Sequence, residues 1–76
     1  MATKAFVLIE TAVGKNKEAL NELRQLEGLK SVDTVTGPYD IIVVAEGEIL
    51  SEIGELVTTK IHTIPSISRT VTCLAI

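Results

Sequence analysis

Asp40 stands at the exit of a Gly37-Pro38 turn, with Tyr39 beside it and the apolar run Ile41-Ile42-Val43-Val44-Ala45 after it. One carboxylate next to free backbone N–H groups is what an amino acid zwitterion needs, its ammonium on the acid and its carboxylate on the amides. The alternative is structural: an Asp after Gly-Pro satisfies the N–H groups of its own turn. Tyr39 is either a core ring with its hydroxyl at the rim or a wall of such a pocket. Thr70 and Thr72 are either good strand formers or pocket residues that supply hydroxyls from a neighbouring strand or subunit.

Other chemistries lack their residues. A metal centre needs three or four ligands, and this chain has one His and one Cys, on different predicted elements. His62 falls at the end of a predicted helix, where an imidazole commonly caps carbonyls or meets solvent. No Ser or Cys has an evident base and orienter beside it, so nucleophilic catalysis is unsupported. Gly14-Lys15-Asn16 lacks the upstream glycine and following Ser or Thr of a phosphate loop. Nothing calls for a cofactor.

Composition points to association. Seventy-six residues make one domain, near the size at which a single core only marginally offsets chain entropy. The hydrophobic fraction is 46% and the mean hydropathy +0.39, with Phe6 and Tyr39 the only rings, so the excess aliphatic surface is expected between subunits. The net charge is −3 and the seven basic residues are scattered, which disfavours direct nucleic-acid binding. Two aromatic rings also make no base-stacking platform. Cys73 alone forms no intramolecular disulfide and fits a reducing compartment. The apolar runs are too short for a signal peptide or a membrane span, so the expected location is cytoplasmic.

The elements follow from periodicity. Ala5 to Thr11 reads as a strand apolar on both faces and therefore central in its sheet. From Asn16, the spacing of Leu20, Leu23 and Leu26 predicts a helix, with Gly28 at the position of a left-handed cap. Ser31 to Thr36 reads as a more polar strand nearer an edge, and Tyr39 to Glu46 as its antiparallel partner across the Gly37-Pro38 turn. Ile49, Ile53, Leu56, Val57 and Ile61 predict a second amphipathic helix in spite of Gly54. Ser66 to Leu74 is the last strand, with Ile67, Arg69, Val71 and Cys73 on one face and Ser68, Thr70, Thr72 and Leu74 on the other.

This order, βαββαβ, gives an α+β fold of ferredoxin-like type, a four-stranded antiparallel sheet with both helices on one face. The other face is bare, and two sheets are expected to pack face to face as a dimeric α/β barrel.

The pattern Val35-Thr36-Gly37-Pro38-Tyr39-Asp40-Ile41-Ile42-Val43, then an acidic-glycine break, an Ile/Leu-rich helix, Ile64-Pro65 and Arg69-Thr70-Val71-Thr72 resembles the ligand-binding domain of the leucine-responsive/asparagine-synthetase (Lrp/AsnC) regulator family. That domain is called RAM, for regulation of amino acid metabolism, and the likeness covers essentially residues 1–76. It implies a stand-alone module without the family's helix-turn-helix domain, whose dimers associate further, commonly four to a ring, an octamer. It also implies an amino acid effector held between dimers at Gly37, Tyr39 and Asp40, with Pro38 in the variable position. Thr70 and Thr72 of the last strand join by the same resemblance, and Cys73 supplies a smaller, softer wall where relatives often carry an aromatic ring.

The leading expectation is thus a non-enzymatic, oligomeric amino acid sensor serving transcriptional regulation, which pairs with full-length regulators of the family and does not touch DNA itself. The rival from another class is a small dimeric α/β-barrel enzyme, of monooxygenase or isomerase type, which needs a His, Tyr or acid in a pocket between sheet and helices, and Glu10, pointing with Phe6 and Leu8, is its one candidate. The third reading is a purely structural oligomer.

Overall fold

The computed structural model describes residues 3–76. The order of elements is β1 (Thr3–Thr11), α1 (Asn16–Arg24), β2 (Leu29–Thr34), β3 (Ile41–Gly47), α2 (Leu50–Leu56) and β4 (Ile67–Leu74), with α2 continuing as a π-helical turn over Val57–Ile61. The strands lie in the order β2-β3-β1-β4, every pair antiparallel. This is the expected ferredoxin-like α+β fold, with β1 central.

Alternation decides which side of each strand the core takes. Ala5, Val7 and Ile9 of β1 and Ile41, Val43 and Ala45 of β3 are buried, and most of them form one cluster with Ala19 and Leu23 of α1 and Ile53, Val57, Ile61 and Ile64. Burial of seven large aliphatic side chains in that layer supplies most of the driving force available to so short a chain. The opposite parity forms the second face. Phe6, Leu8, Ile42, Val44 and Val71 are half-buried or exposed there, and Cys73 is exposed opposite Phe6.

Four local readings are corrected. Helix α1 ends at Arg24, so Gly28 (φ +90°) lies beyond its cap, in the turn leading into β2. The β2–β3 connection is no tight turn but the six-residue loop 35–40, closed by a hydrogen bond from Val35 N–H to the Asp40 carbonyl at 3.0 Å. Ile67 does not share a face with Arg69, because Arg69 is opposite Glu10 while Ile67 is opposite Thr11, which leaves Ser68 as a bulge. Ile67 therefore packs on the core. The second helix keeps Ile53, Val57 and Ile61 inside, but Ile49 precedes it and is exposed.

The π-helical turn has a visible cause. Thr58 and Thr59 donate their hydroxyls back to the Gly54 and Glu55 carbonyls, both at 2.6 Å, and Thr63 does the same to Thr59 at 3.0 Å. Such bonds compete with the helical ladder, and the amide of His62 reaches the Val57 carbonyl five residues back, at 2.8 Å. At the other end of α2, where no Ser, Thr, Asp or Asn stands at the cap, the Glu52 carboxylate accepts the Glu48 amide at 2.6 Å and the Ile49 amide at 3.4 Å.

Candidate functional site

The loop 35–40 sits where β1 ends, because Asp40 N–H donates to the Ile9 carbonyl at 2.9 Å and leads into the β3 pairing. Gly37 has φ +125°, a conformation that a residue with a Cβ adopts only with strain. That glycine lets the loop fold without a hydrogen-bonded turn inside it. Among the described residues, the amides of Thr36, Gly37 and Tyr39 are engaged by no other group, and Pro38 has none. Gly37 and Pro38 are exposed, while Tyr39 and Asp40 are half-buried.

Asp40 is held from one side. Its Oδ2 accepts the backbone amide of Thr11 at 2.9 Å and the Thr11 hydroxyl at 3.2 Å. The Thr11 hydroxyl also meets the Asn16 side chain in the first turn of α1. That hydroxyl has one proton for two acceptors, and an Asn16 amide turned with Nδ2 toward it would let it donate to Asp40 alone. The carboxylate thus serves the end of β1 rather than its own turn, and Oδ1 accepts no hydrogen bond among the described residues.

Thr70 and Thr72 stand apart from this loop in a single chain. Thr70 is opposite Ile9 and Thr72 opposite Val7, so Thr70 is two strands away from the start of β3, roughly 9–10 Å at ordinary strand spacing. Both lie on the helix-side parity, with Thr70 half-buried against His62 and Thr72 exposed. Cys73 is on the other face and shares no wall with them. The fold brings Gly37, Pro38, Tyr39 and Asp40 together and leaves the two threonines at the β4 edge.

Sequence reasoning missed Thr11 and Asn16, which position Asp40 from 29 and 24 residues away. No local pattern announces them, since their role depends on which strand lies beside β3. Glu10, the candidate of the enzyme reading, is on the open face with Phe6 and Leu8, 3.7 Å from the Arg69 guanidinium. Between sheet and helices the space is filled by Ile9, Leu23, Ile41, Ile53 and Ile61, all 0–2% exposed. His62 lies instead beside β4, in a cleft of about 370 Å³ lined with Ile67, Ser68, Arg69 and Thr70.

With this geometry in view, the comparisons with known proteins are specific. A family model described as the Lrp/AsnC ligand binding domain matches residues 4–76. The chain belongs to that family. Among solved structures, the hypothetical protein PHS023 from Pyrococcus horikoshii is 37% identical, with a TM-score of 0.88 over 100% of this chain and 90% of that one. AsnC from E. coli has the same fold, with a TM-score of 0.91 at 23% identity over 97% of this chain. This chain spans 50% of AsnC. The regulator NMB0573 from Neisseria meningitidis, solved as a complex with L-Met, has a TM-score of 0.87 at 13% identity over 97% of this chain and 49% of its own. No curated protein matches by sequence. Membership in the Lrp/AsnC domain family is that of a regulatory ligand-binding domain, and no described helix is long and apolar enough to cross a membrane.

Proposed function

We propose that the chain is an oligomeric amino acid sensing module of transcriptional regulation. Its open sheet faces pair to make a dimer, dimers associate into a larger ring, and an amino acid binds at the loop 35–40 where dimers meet. The observation that carries this reading is the half-used Asp40 carboxylate next to the unengaged amides of Thr36, Gly37 and Tyr39. The free carboxylate oxygen takes the ammonium and the amides take the carboxylate, each a charge-assisted hydrogen bond. The second protomer contributes its own residues to the seat, including Thr70 and Thr72 of an adjoining dimer. That a fold relative was solved with L-Met supports the ligand class.

The module works in the cytoplasm as a single ligand-binding domain. It acts on other regulators of the family by sheet-to-sheet contact rather than on DNA, as a net charge of −3 with scattered basic residues favours.

Light scattering and thermal melting with a panel of the common amino acids test this on wild type and Asp40→Asn. The substitution keeps an acceptor for the Thr11 amide and removes the charge, so the fold should stand. The expected result is an octamer-sized particle whose size or melting temperature responds to one amino acid, with no response in the variant. A dimer indifferent to every amino acid overturns the reading.

A further inference from the structure

Asn16 stands one position away from where its type serves a helix best. Helix α1 begins at Asn16, directly after Lys15, and no side chain caps its first turn. An Asn one residue earlier would be a strong cap. Instead, the one hydrogen bond of the Asn16 side chain among the described residues goes back to the Thr11 hydroxyl. The chain between the two is closed tightly. Lys15 N–H donates to the Ala12 carbonyl at 2.9 Å across a four-residue turn with Gly14, φ +76°, at its third position. Ala12 N–H donates to the Ser66 carbonyl at 2.8 Å. The end of β1 and the first residue of α1 are thereby held side by side.

That contact bears on a proton count. The Thr11 hydroxyl has one proton and lies 3.2 Å from Asp40 Oδ2, the same oxygen to which the Thr11 amide donates at 2.9 Å. With the Asn16 carbonyl oxygen toward the hydroxyl, the proton has two acceptors and Asp40 receives a shared bond. With Nδ2 toward it, the amide donates to Thr11 Oγ1 and the proton is left to Asp40. The two ends of an Asn side chain have the same shape, so the hydrogen bonds choose between them. A carboxylate is a stronger acceptor than a neutral amide oxygen, and the second orientation joins three side chains in one direction, each bond polarising the next.

We infer that Asn16 is a positioning residue of the amino acid seat, acting through the Thr11 hydroxyl, and that its position requires an amide. Asn16 Nδ2–H donates to Thr11 Oγ1, and Thr11 Oγ1–H donates to Asp40 Oδ2. Both Thr11 donors then hold one carboxylate oxygen, which fixes the rotation of the group with Oδ1 unengaged. The inference rests on the proposed role of the loop 35–40, where Oδ1 takes the ligand ammonium. An ionised acid at position 16 only accepts, so it draws the Thr11 proton to itself and releases Asp40.

NMR of the unliganded protein tests the chain of bonds without any amino acid. The Asp40 Hα–Hβ couplings should be those of a single χ1 rotamer in wild type and averaged in Asn16→Ala, Asn16→Asp and Thr11→Val. Stability should move differently. An acid in the first turn of a helix is favourable, so Asn16→Asp should melt no lower than wild type while Asp40 loosens, a combination that a merely structural role does not produce. Titration with the amino acid panel then reads the seat. Affinity for the responding amino acid should fall about fivefold in Asn16→Ala, the worth of one hydrogen bond. Adding Asn16→Ala to Thr11→Val should lower it no further, because Asn16 acts only through that hydroxyl. Averaged couplings in wild type, unchanged couplings in both Asn16 variants, additive losses of affinity, or a loosening that tracks lost stability in every variant each overturn the inference. A fixed Asp40 that loosens in the variants of a protein answering no amino acid supports the chain of bonds and overturns the seat, so the two readings fail separately.

Discussion

At the scale of single residues, the candidate site rests on a carboxylate whose orientation is set by another strand. Thr11 supplies two donors to Asp40 Oδ2, one from the backbone and one from the side chain. Thr11→Val removes the hydroxyl and keeps both the amide and the β-branched shape that a strand accepts. Urea unfolding should show a loss of about 1 kcal/mol, the net worth of one such bond. Ligand response should weaken more than stability does, because Asp40 would lose a restraint on its rotation while the loop remains. Gly37 sets the other half of the geometry through its backbone, and its φ of +125° explains why the position carries no side chain.

At the scale of elements, α2 departs most from regularity. Gly54 sits in its middle with nothing within 4 Å of where a Cβ would stand and no unusual φ. Gly54→Ala should therefore raise stability by about 1 kcal/mol, seen as a higher melting temperature. The following turn responds differently. Thr58→Ala with Thr59→Ala removes the hydroxyls that compete for the Gly54 and Glu55 carbonyls. Helix propensity alone adds about 0.5 kcal/mol per site, but a turn tightened to regular α geometry would rotate His62 relative to Thr70. The measurement that reads this is the His62 ring chemical shift, which should move in the double variant and stay put in Gly54→Ala.

At the scale of the whole molecule, the sheet has one face covered and one bare. Phe6, Leu8, Ile42, Val44 and Val71 form an apolar centre on the bare face. Around it lie the Lys30–Glu46 and Arg69–Glu10 ion pairs, at 3.8 Å and 3.7 Å, and Lys4 over the Phe6 ring at 5.3 Å from its centroid. An apolar centre within a charged rim is the anatomy of a protein interface. Val44→Asp tests it. Val44 is only half-buried in the single chain, so the fold should persist by circular dichroism, while light scattering should fall toward the mass of a monomer as a buried carboxylate opposes pairing.

How much of this was legible in the sequence follows from the range of the interactions involved. Strand and helix identities came from local patterns: the run from Ala5 to Ile9, apolar on both faces, marks a central strand, and the spacing of Ile53, Val57 and Ile61 reports the buried stripe of α2 directly, because side-chain direction repeats every 2 or 3.6 residues. The Gly37-Pro38-Tyr39-Asp40 cluster was visible for the same reason, its residues being neighbours in the chain. The partners of Asp40 were not, since Thr11 and Asn16 reach it only because β1 pairs with β3. Irregularities escaped for a related reason. A bulge at Ser68 and a π-helical turn after Leu56 each shift a register by one residue, and the pattern of apolar positions absorbs such a shift without a mark. Periodicity within the chain thus determined the elements, while tertiary pairing decided the surroundings of Asp40, the cleft beside His62 and the face to which Ile67 turns.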